Sequence, residues 1–345
     1  MEEVGALRPV ARARPTMRAR SLVTWALLFT VVVVLIPWPQ IFEVANGLPM
    51  LDREVYRTKI EEQRVLRDLS SITSLAGLFT NEVLWGWLLD FAVTTLGLSV
   101  DGVFLGISAV AIFVAALVVL RAEAPAYLLL LINPLFIDLV FSQMRGALAV
   151  ALLSVGYLLR CKKVRTWWLA VVAGLLIHTA AFVYVGIAIA ASLAGRSLKR
   201  SGPQAALIMT AAAGVLFAVV TGPARDLLLG AAGDRRYGAE GYLSDLSLRY
   251  IAIWLLVLLI QLVDWRSMVK TFDGRASTIL LIMALLGVLW GGYPGRYIAL
   301  GLPFIIVAIT RLGSSYRIPL VFAYVVAMFL SWGVWLRIDW IRFWA

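Results

Sequence analysis

Residues 133–160, NPLFIDLVFSQMRGALAVALLSVGYLLR, join two apolar segments through Ser142-Gln143-Met144-Arg145. An ionisable side chain at helix depth in a bilayer costs about 2.5–3.5 kcal/mol on insertion scales, so an arginine at this turn calls for a partner or a task. Two uses compete on position alone. Arg145 either snorkels to the headgroups or pairs with Asp138, or its planar fork grips a ligand.

The whole chain has the composition this stretch implies. Of 345 residues, 62% are hydrophobic and only 15% charged, and the mean hydropathy is +0.90, which excludes an ordinary soluble domain. The expected fold is all-α, a polytopic membrane protein. Arginines crowd the first 20 residues ahead of the apolar run Ser21–Ile36, as in a signal-peptide n-region. Pro37-Trp38-Pro39 follows instead of a small-residue cleavage site, which predicts an uncleaved first helix with its N-terminus inside. Hydropathy places further spans at 103–120, 125–141, 145–160, 166–180, 181–194, 203–220, 249–264, 276–291, 297–311 and 318–336, for about eleven crossings. The chain thus divides into a basic cytoplasmic tail, 1–20, and one transmembrane domain, 21–345.

Charge tests this topology. The loops assigned to the inside carry 18 of the 31 Lys and Arg but only 5 of the 20 Asp and Glu, as the positive-inside rule requires. The same dispersal over short loops argues against nucleic acid as the target of the +11 net charge. The single cysteine, Cys161, sits in the basic inner turn and can form no internal disulfide. Runs 166–180 and 181–194 are short for a core about 30 Å thick and read as one bent or shallow pair, with His178 near its outer tip.

Two segments form outer loops. In 40–97, residues 54–69 read as a helix lying along the surface, with Arg64 and Asp68 at i,i+4. Within 82–97, Glu82, Gly86, Asp90 and Thr94 recur every four residues, so this stretch reads as an interfacial helix with a polar stripe, not a crossing. The second outer loop, 221–248, is rich in glycine and carries Arg235-Arg236.

Near predicted outer helix ends lie Asp52, Glu54, Tyr56, Glu82, Arg145, His178, Arg249 and Arg296. Arginines hold phosphates bidentately, and a carboxylate or histidine takes a proton from a sugar hydroxyl. That set suits removal of a glycosyl group from a lipid pyrophosphate. The chain contains no GxxxxGK[ST], HExxH, CxxC or GxSxG with triad partners, so ATP hydrolysis, zinc proteolysis and serine hydrolysis find no support. One histidine and one cysteine argue against zinc or haem, and no cofactor is expected, although the acidic residues leave room for a divalent cation.

The ordered pattern resembles the EpsG-type family of Wzy-like polysaccharide polymerases. The resemblance rests on Asp52-x-x-x-Tyr56, Glu82 ahead of LLDFAVTTLGLS, Gln143-Met144-Arg145-x-x-x-Ala149, Ile177-His178 and Arg296-Tyr297, over roughly 50 to 310. One position departs: the family commonly carries glutamine after the motif arginine, and Gly146 stands there. The resemblance implies a bacterial inner-membrane enzyme with a GT-C-like plan, building exopolysaccharide or O-antigen from undecaprenyl-diphosphate-linked units at the outer face. A flippase and a chain-length regulator of the same pathway are the implied protein partners. It casts Asp52, Glu82 and His178 as catalytic candidates and Arg145, Arg296, Tyr56, Gln143 and Tyr297 as substrate-binding, with no metal ligand; Arg249 joins the substrate-binding candidates by its place at an outer helix end alone. The competing readings are a lipid-linked oligosaccharide flippase or transporter, which would show internal repeats and midplane polar residues, an O-antigen ligase or single-sugar GT-C transferase, and a non-catalytic assembly scaffold.

Overall fold

Helix is the solution open to a chain that must satisfy its own backbone in lipid, and the protein takes it throughout. In the structure, a computed structural model, residues 19–62, 78–79, 82–225, 227, 248–290 and 293–337 are described, and among them there are helices and turns but no strand. The basic tail to residue 18, most of the 221–248 loop and the Arg64/Asp68 pair lie outside the described residues.

Fourteen helices suffice for the argument. They are α1 (Ala19–Leu35), α2 (Trp38–Asn46), α3 (Leu51–Glu61), α4 (Val83–Asp90), α5 (Val100–Leu120), α6 (Pro134–Phe141) and α7 (Met144–Cys161), followed by α8 (Trp167–Ile177), α9 (Ala180–Ser201), α10 (Pro203–Thr221), α11 (Leu248–Val263), α12 (Phe272–Trp290), α13 (Pro294–Thr310) and α14 (Ser314–Trp335). Among the described residues, seven segments are long and apolar enough to cross a bilayer: 19–46, α5, α7, α9, α10, α12 and α14. Four shorter apolar helices accompany them, at Val83–Thr95, Trp167–Ile177, Ile251–Val263 and Pro294–Thr310.

The core is organised by α5, α12 and α13. Two thirds of the apolar windows of α5 and α12 are buried, and α13 is buried almost continuously from Ile298 to Thr310. By contrast α1, α9, α10 and α14 bury only 22–28% of theirs and form the periphery. Lipid tails are as apolar as leucine, so hydrophobicity alone cannot choose the inner helices; close approach does. A Cβ at Gly301 would lie 2.5 Å from Leu280 Cδ1, and one at Gly214 would lie 2.7 Å from Ile282 Cβ, so glycine lets α12 seat tightly against both α13 and α10.

Two expectations are revised and a third is refined. The expected span 125–141 is broken into a 3₁₀ stretch, Pro125–Leu131, and α6. Pro134 supplies no N–H and pushes Asn133 into an extended conformation, φ −93° and ψ 134°, so the helix cannot run through. The backbone groups freed by the break are met by α14. The Tyr324 hydroxyl donates to the Leu130 carbonyl at 3.0 Å, Asn133 Nδ2 donates to that hydroxyl, and Trp332 Nε1 donates to the Ile132 carbonyl at 2.9 Å. Second, α8 and α9 are not a matched short pair. The first has 11 residues and the second 22, running on to the Gly202-Pro203 stop.

Third, 82–97 is helical, with a five-residue π turn, Phe91–Thr95, continuing α4, but the four-residue polar stripe does not define its buried face. That face is Glu82, Trp85, Leu89 and Ala92, because Trp85 and Leu89 fill the hydrophobic cluster beneath α3. Trp87, exposed, stacks on Phe91. At thirteen residues this element rises only about 20 Å, short of a bilayer core about 30 Å thick.

Helix directions alternate, so the molecule has two chemically distinct ends. At one, Arg121 at the close of α5 and Arg311 after α13 flank the buried carboxylate of Asp273 at 3.7 and 3.1 Å. Arg275 there donates to the carbonyls of Ala191 and Val269. The opposite end gathers the residues singled out from the sequence.

Candidate functional site

The opposite end is built from the starts of α3, α4, α7 and α13 and the end of α8. Helix α3 begins after an extended Met50, with Asp52 and Glu54 in its first turn and Lys59 in its last, the polarity its dipole favours. Spacing of four puts Asp52 and Tyr56 on one face. Tyr56 is buried with its ring edge-on to Trp85, centroids 5.3 Å apart. Burial raises its phenol pKa above the usual 10 and Arg145 opposes the shift, so the hydroxyl is protonated at neutral pH.

Arg145 meets this hydroxyl. Its Nε donates to Tyr56 Oη at 3.0 Å and its guanidinium lies 5.2 Å from the Tyr56 ring centroid. Its Nη1 donates to Glu82 Oε2 in an ion pair. The Asp138 pairing weighed from sequence is not formed: Asp138 accepts instead from Gln143 Nε2 at 2.9 Å.

Glu82 is the hub. It is 2% exposed, it binds Arg145 through Oε2, and its Oε1 faces His178 Nδ1 and lies 3.4 Å from the Thr179 amide. Its backbone, at φ 55° and ψ 48°, is left-handed, a conformation that costs a non-glycine residue about 1–2 kcal/mol. Strain of this kind persists where surrounding interactions fix the residue, and here they are the contacts of Arg145, His178 and Thr179 to its carboxylate.

His178 sits where α8 ends, in extended backbone, before α9 starts at Ala180. With Nδ1 turned to Glu82, Nε2 is the nitrogen toward Gly146: a Cβ built there would stand 3.9 Å from Nε2 and 3.4 Å from a Leu300 methyl. Gly146 is therefore the residue that keeps space beside the imidazole.

Arg296, in the first turn of α13, pairs with Asp52 at 3.2 Å, both well exposed. Its guanidinium lies 5.1 Å from the Tyr293 ring centroid, and Arg225 lies 5.3 Å from the same centroid. Tyr297 lies within electrostatic reach of Arg225, Tyr293 and Arg296, with its hydroxyl bonded to Thr221 and its carbonyl accepting from Tyr184 Oη at 2.9 Å. The side chain of Arg249 lies outside the described residues.

Of the sequence-selected residues, Asp52, Tyr56, Glu82, Gln143, Arg145, His178 and Arg296 converge, and Tyr297 stands at the margin beside Arg225 and Arg296. Arg225 and Thr179 were missed. Arg225 lies in a glycine-rich loop with other arginines and nothing marks it out, whereas Thr179 follows His178 directly and its proximity was legible. Among the described residues no group of three or more His, Cys, Asp or Glu is placed to hold a metal ion.

The arrangement offers a carboxylate-oriented imidazole, an arginine locked by two partners and a second arginine nearer solvent. Such a set can deprotonate a hydroxyl and neutralise a departing anion. By this point the fold and composition define an all-α, multi-pass membrane protein. The chain matches no family model, no curated protein and no solved structure.

Proposed function

We propose that this protein is a membrane glycosyltransferase that polymerises lipid-diphosphate-linked oligosaccharide units at the outer face of the bacterial cytoplasmic membrane. The observation that carries the reading is the convergence of Arg145, Glu82 and His178, from three separate segments, beside the Asp52–Arg296 pair. The resemblance to EpsG-type Wzy-like polymerases, the count of about eleven crossings and the GT-C-like plan belong to the same proposal.

In the reaction, an acceptor sugar hydroxyl on one lipid-linked unit attacks the anomeric carbon of the growing glycan. The bond from that carbon to the pyrophosphate oxygen breaks, and the hydroxyl proton passes to His178 Nε2. Glu82 is a positioning residue: it holds the Nδ1 proton and favours the imidazolium that forms, as a buried carboxylate does beside a catalytic histidine. Arg145 and Arg296 neutralise the lipid pyrophosphate as it leaves, with Arg225 next in line. Asp52 keeps Arg296 aimed at the site, and Tyr56 does the same for Arg145. Acid–base assistance by one group contributes about 10²–10⁴ in rate, and loss of a preorganised charge donor costs about 10²–10³.

The test compares wild type, Arg145→Lys and Arg145→Ala at matched membrane abundance in cells lacking the native gene, scoring long glycan against single units on the lipid carrier. Lysine keeps the charge but loses the planar fork and the Nε donor to Tyr56. Single units should accumulate in both variants. Polymer at wild-type levels from Arg145→Ala would remove this residue from the site. A ligase or single-sugar transferase would show itself by leaving polymer length unchanged while transfer to a different acceptor fails.

A further inference from the structure

The face of α3 turned away from Arg145 carries a second arrangement that the proposed chemistry does not use. An open cleft of about 140 Å³, room for about one sugar ring, lies between α2 and α3, with Gln40 and Glu43 on one wall, Arg53, Glu54 and Arg57 on the other, and Asp101 at its end. We propose that this cleft is a carbohydrate subsite that binds sugars of the lipid-linked unit lying beyond the reacting one; the proposal rests on the glycosyl-transfer reading above.

The lining selects the ligand class. Two arginines face three carboxylates, so the cleft carries a net charge of −1, which disfavours a phosphate or an anionic headgroup. Only two prolines and Met50 supply apolar surface, too little to hold a polyprenyl chain. What fits is a neutral polyhydroxyl compound, because each sugar hydroxyl both donates and accepts, and the cleft presents guanidinium N–H groups, an amide and carboxylate oxygens side by side.

The arginine wall and the helix of the opposite wall are held before any ligand arrives. Arg53 and Arg57 both donate to Asp101 Oδ1 at 2.7 Å, and Arg57 also pairs with Glu54 at 3.4 Å. On the opposite wall Trp38 stacks on Trp332 with centroids 5.0 Å apart, and Asn46 Nδ2 donates to the Trp335 carbonyl at 3.1 Å. Side chains already ordered lose less entropy when a ligand binds.

Position decides which sugars. Residues 52 and 56 face the Arg145 cluster and residues 53 and 57 face the cleft, so the two sites share α3 as a partition. A helix with its side chains is about 10–12 Å across. A glycan whose reacting hydroxyl or anomeric carbon lies at His178 can reach the cleft only with sugars further along the unit. Binding energy from such non-reacting parts is what orients the reacting centre, so the cleft sets which repeat unit is accepted.

The test uses Gln40→Trp, which plugs the cleft, and Glu43→Ala, which removes an acceptor; both residues are exposed, so neither change disturbs packing. Full-length wild type and variants in nanodiscs are titrated with the water-soluble glycan released by mild acid from the host's lipid-linked single unit. Alongside, polymer is scored in gene-deleted cells expressing each variant. The expectation is at least tenfold weaker glycan binding in Gln40→Trp, a smaller loss in Glu43→Ala, and retained binding in Arg145→Ala, with single units accumulating in Gln40→Trp cells. Equal binding by wild type and Gln40→Trp, or no binding by wild type while gene deletion still abolishes polymer, overturns the subsite and leaves the transferase reading standing. If gene deletion leaves polymer intact, the transferase reading itself fails and the subsite falls with it.

Discussion

Removing either member of the Arg145–Glu82 pair should have very different consequences, because the two side chains are buried to different depths. Glu82 is 2% exposed and Arg145 23%. Arg145→Met leaves a carboxylate that is itself almost fully buried and has lost its cation, with His178 and Thr179 among its remaining contacts. Breaking a buried pair in this way costs about 3–5 kcal/mol; the partial access of water at Arg145 places the expectation at about 3. Glu82→Gln leaves the cation, which can turn toward solvent, and keeps an amide oxygen to accept a hydrogen bond, so about 1–2 kcal/mol is expected. The double variant restores neutrality and should be more stable than Arg145→Met alone, giving a coupling of at least about 1 kcal/mol. Unfolding of purified protein, followed by denaturant titration in a single detergent, measures all four states. Glycan polymer should be lost in all three variants, so stability and activity separate in the double. If Glu82→Gln proves more destabilising than Arg145→Met, or if the two changes simply add, the buried-hub reasoning is wrong.

Three further outcomes follow from other parts of the molecule. His178→Ala should lower polymer formation by about 10²–10⁴ while membrane abundance stays near wild type, as quantitative blotting and glycan gels would show; a normal ladder would exclude the imidazole as base. Gly146→Ala should be tolerated, since the new Cβ meets only ordinary contacts, and should stabilise α7 by up to about 0.5–1 kcal/mol, whereas Gly146→Leu, crowding His178 Nε2, should abolish polymer; a Leu variant that polymerises normally would show that the space beside Nε2 is not needed. Tyr324→Phe removes the hydroxyl that bridges Asn133 and the Leu130 carbonyl at the 3₁₀–α6 break and should cost about 1–3 kcal/mol in the same unfolding assay without changing activity per folded molecule.

Composition and hydropathy by themselves determined that this is an all-α membrane protein, because a chain this apolar must satisfy its backbone internally and helices do so locally. Helix starts, turns and most boundaries were legible for the same reason: Pro, Gly and charge act within a few residues of where they stand. The importance of Arg145 was legible too, from its cost at the turn. Its partner was not. Glu82 lies 63 residues away and His178 96 residues from Glu82, and no local pattern distinguishes Glu82 from the other outer carboxylates or Asp138. The four-residue stripe in 82–97 did not by itself say which side of the helix is buried; packing of Trp85 and Leu89 against Tyr56 fixed which way α4 faces. Pro134 marks the break in the apolar run 125–141 locally, but what satisfies the freed carbonyls was not legible there: Tyr324 and Trp332 stand almost 200 residues later. Local chemistry decided where helices form, and only packing across the bundle decided which ends meet, and so which charges share a site.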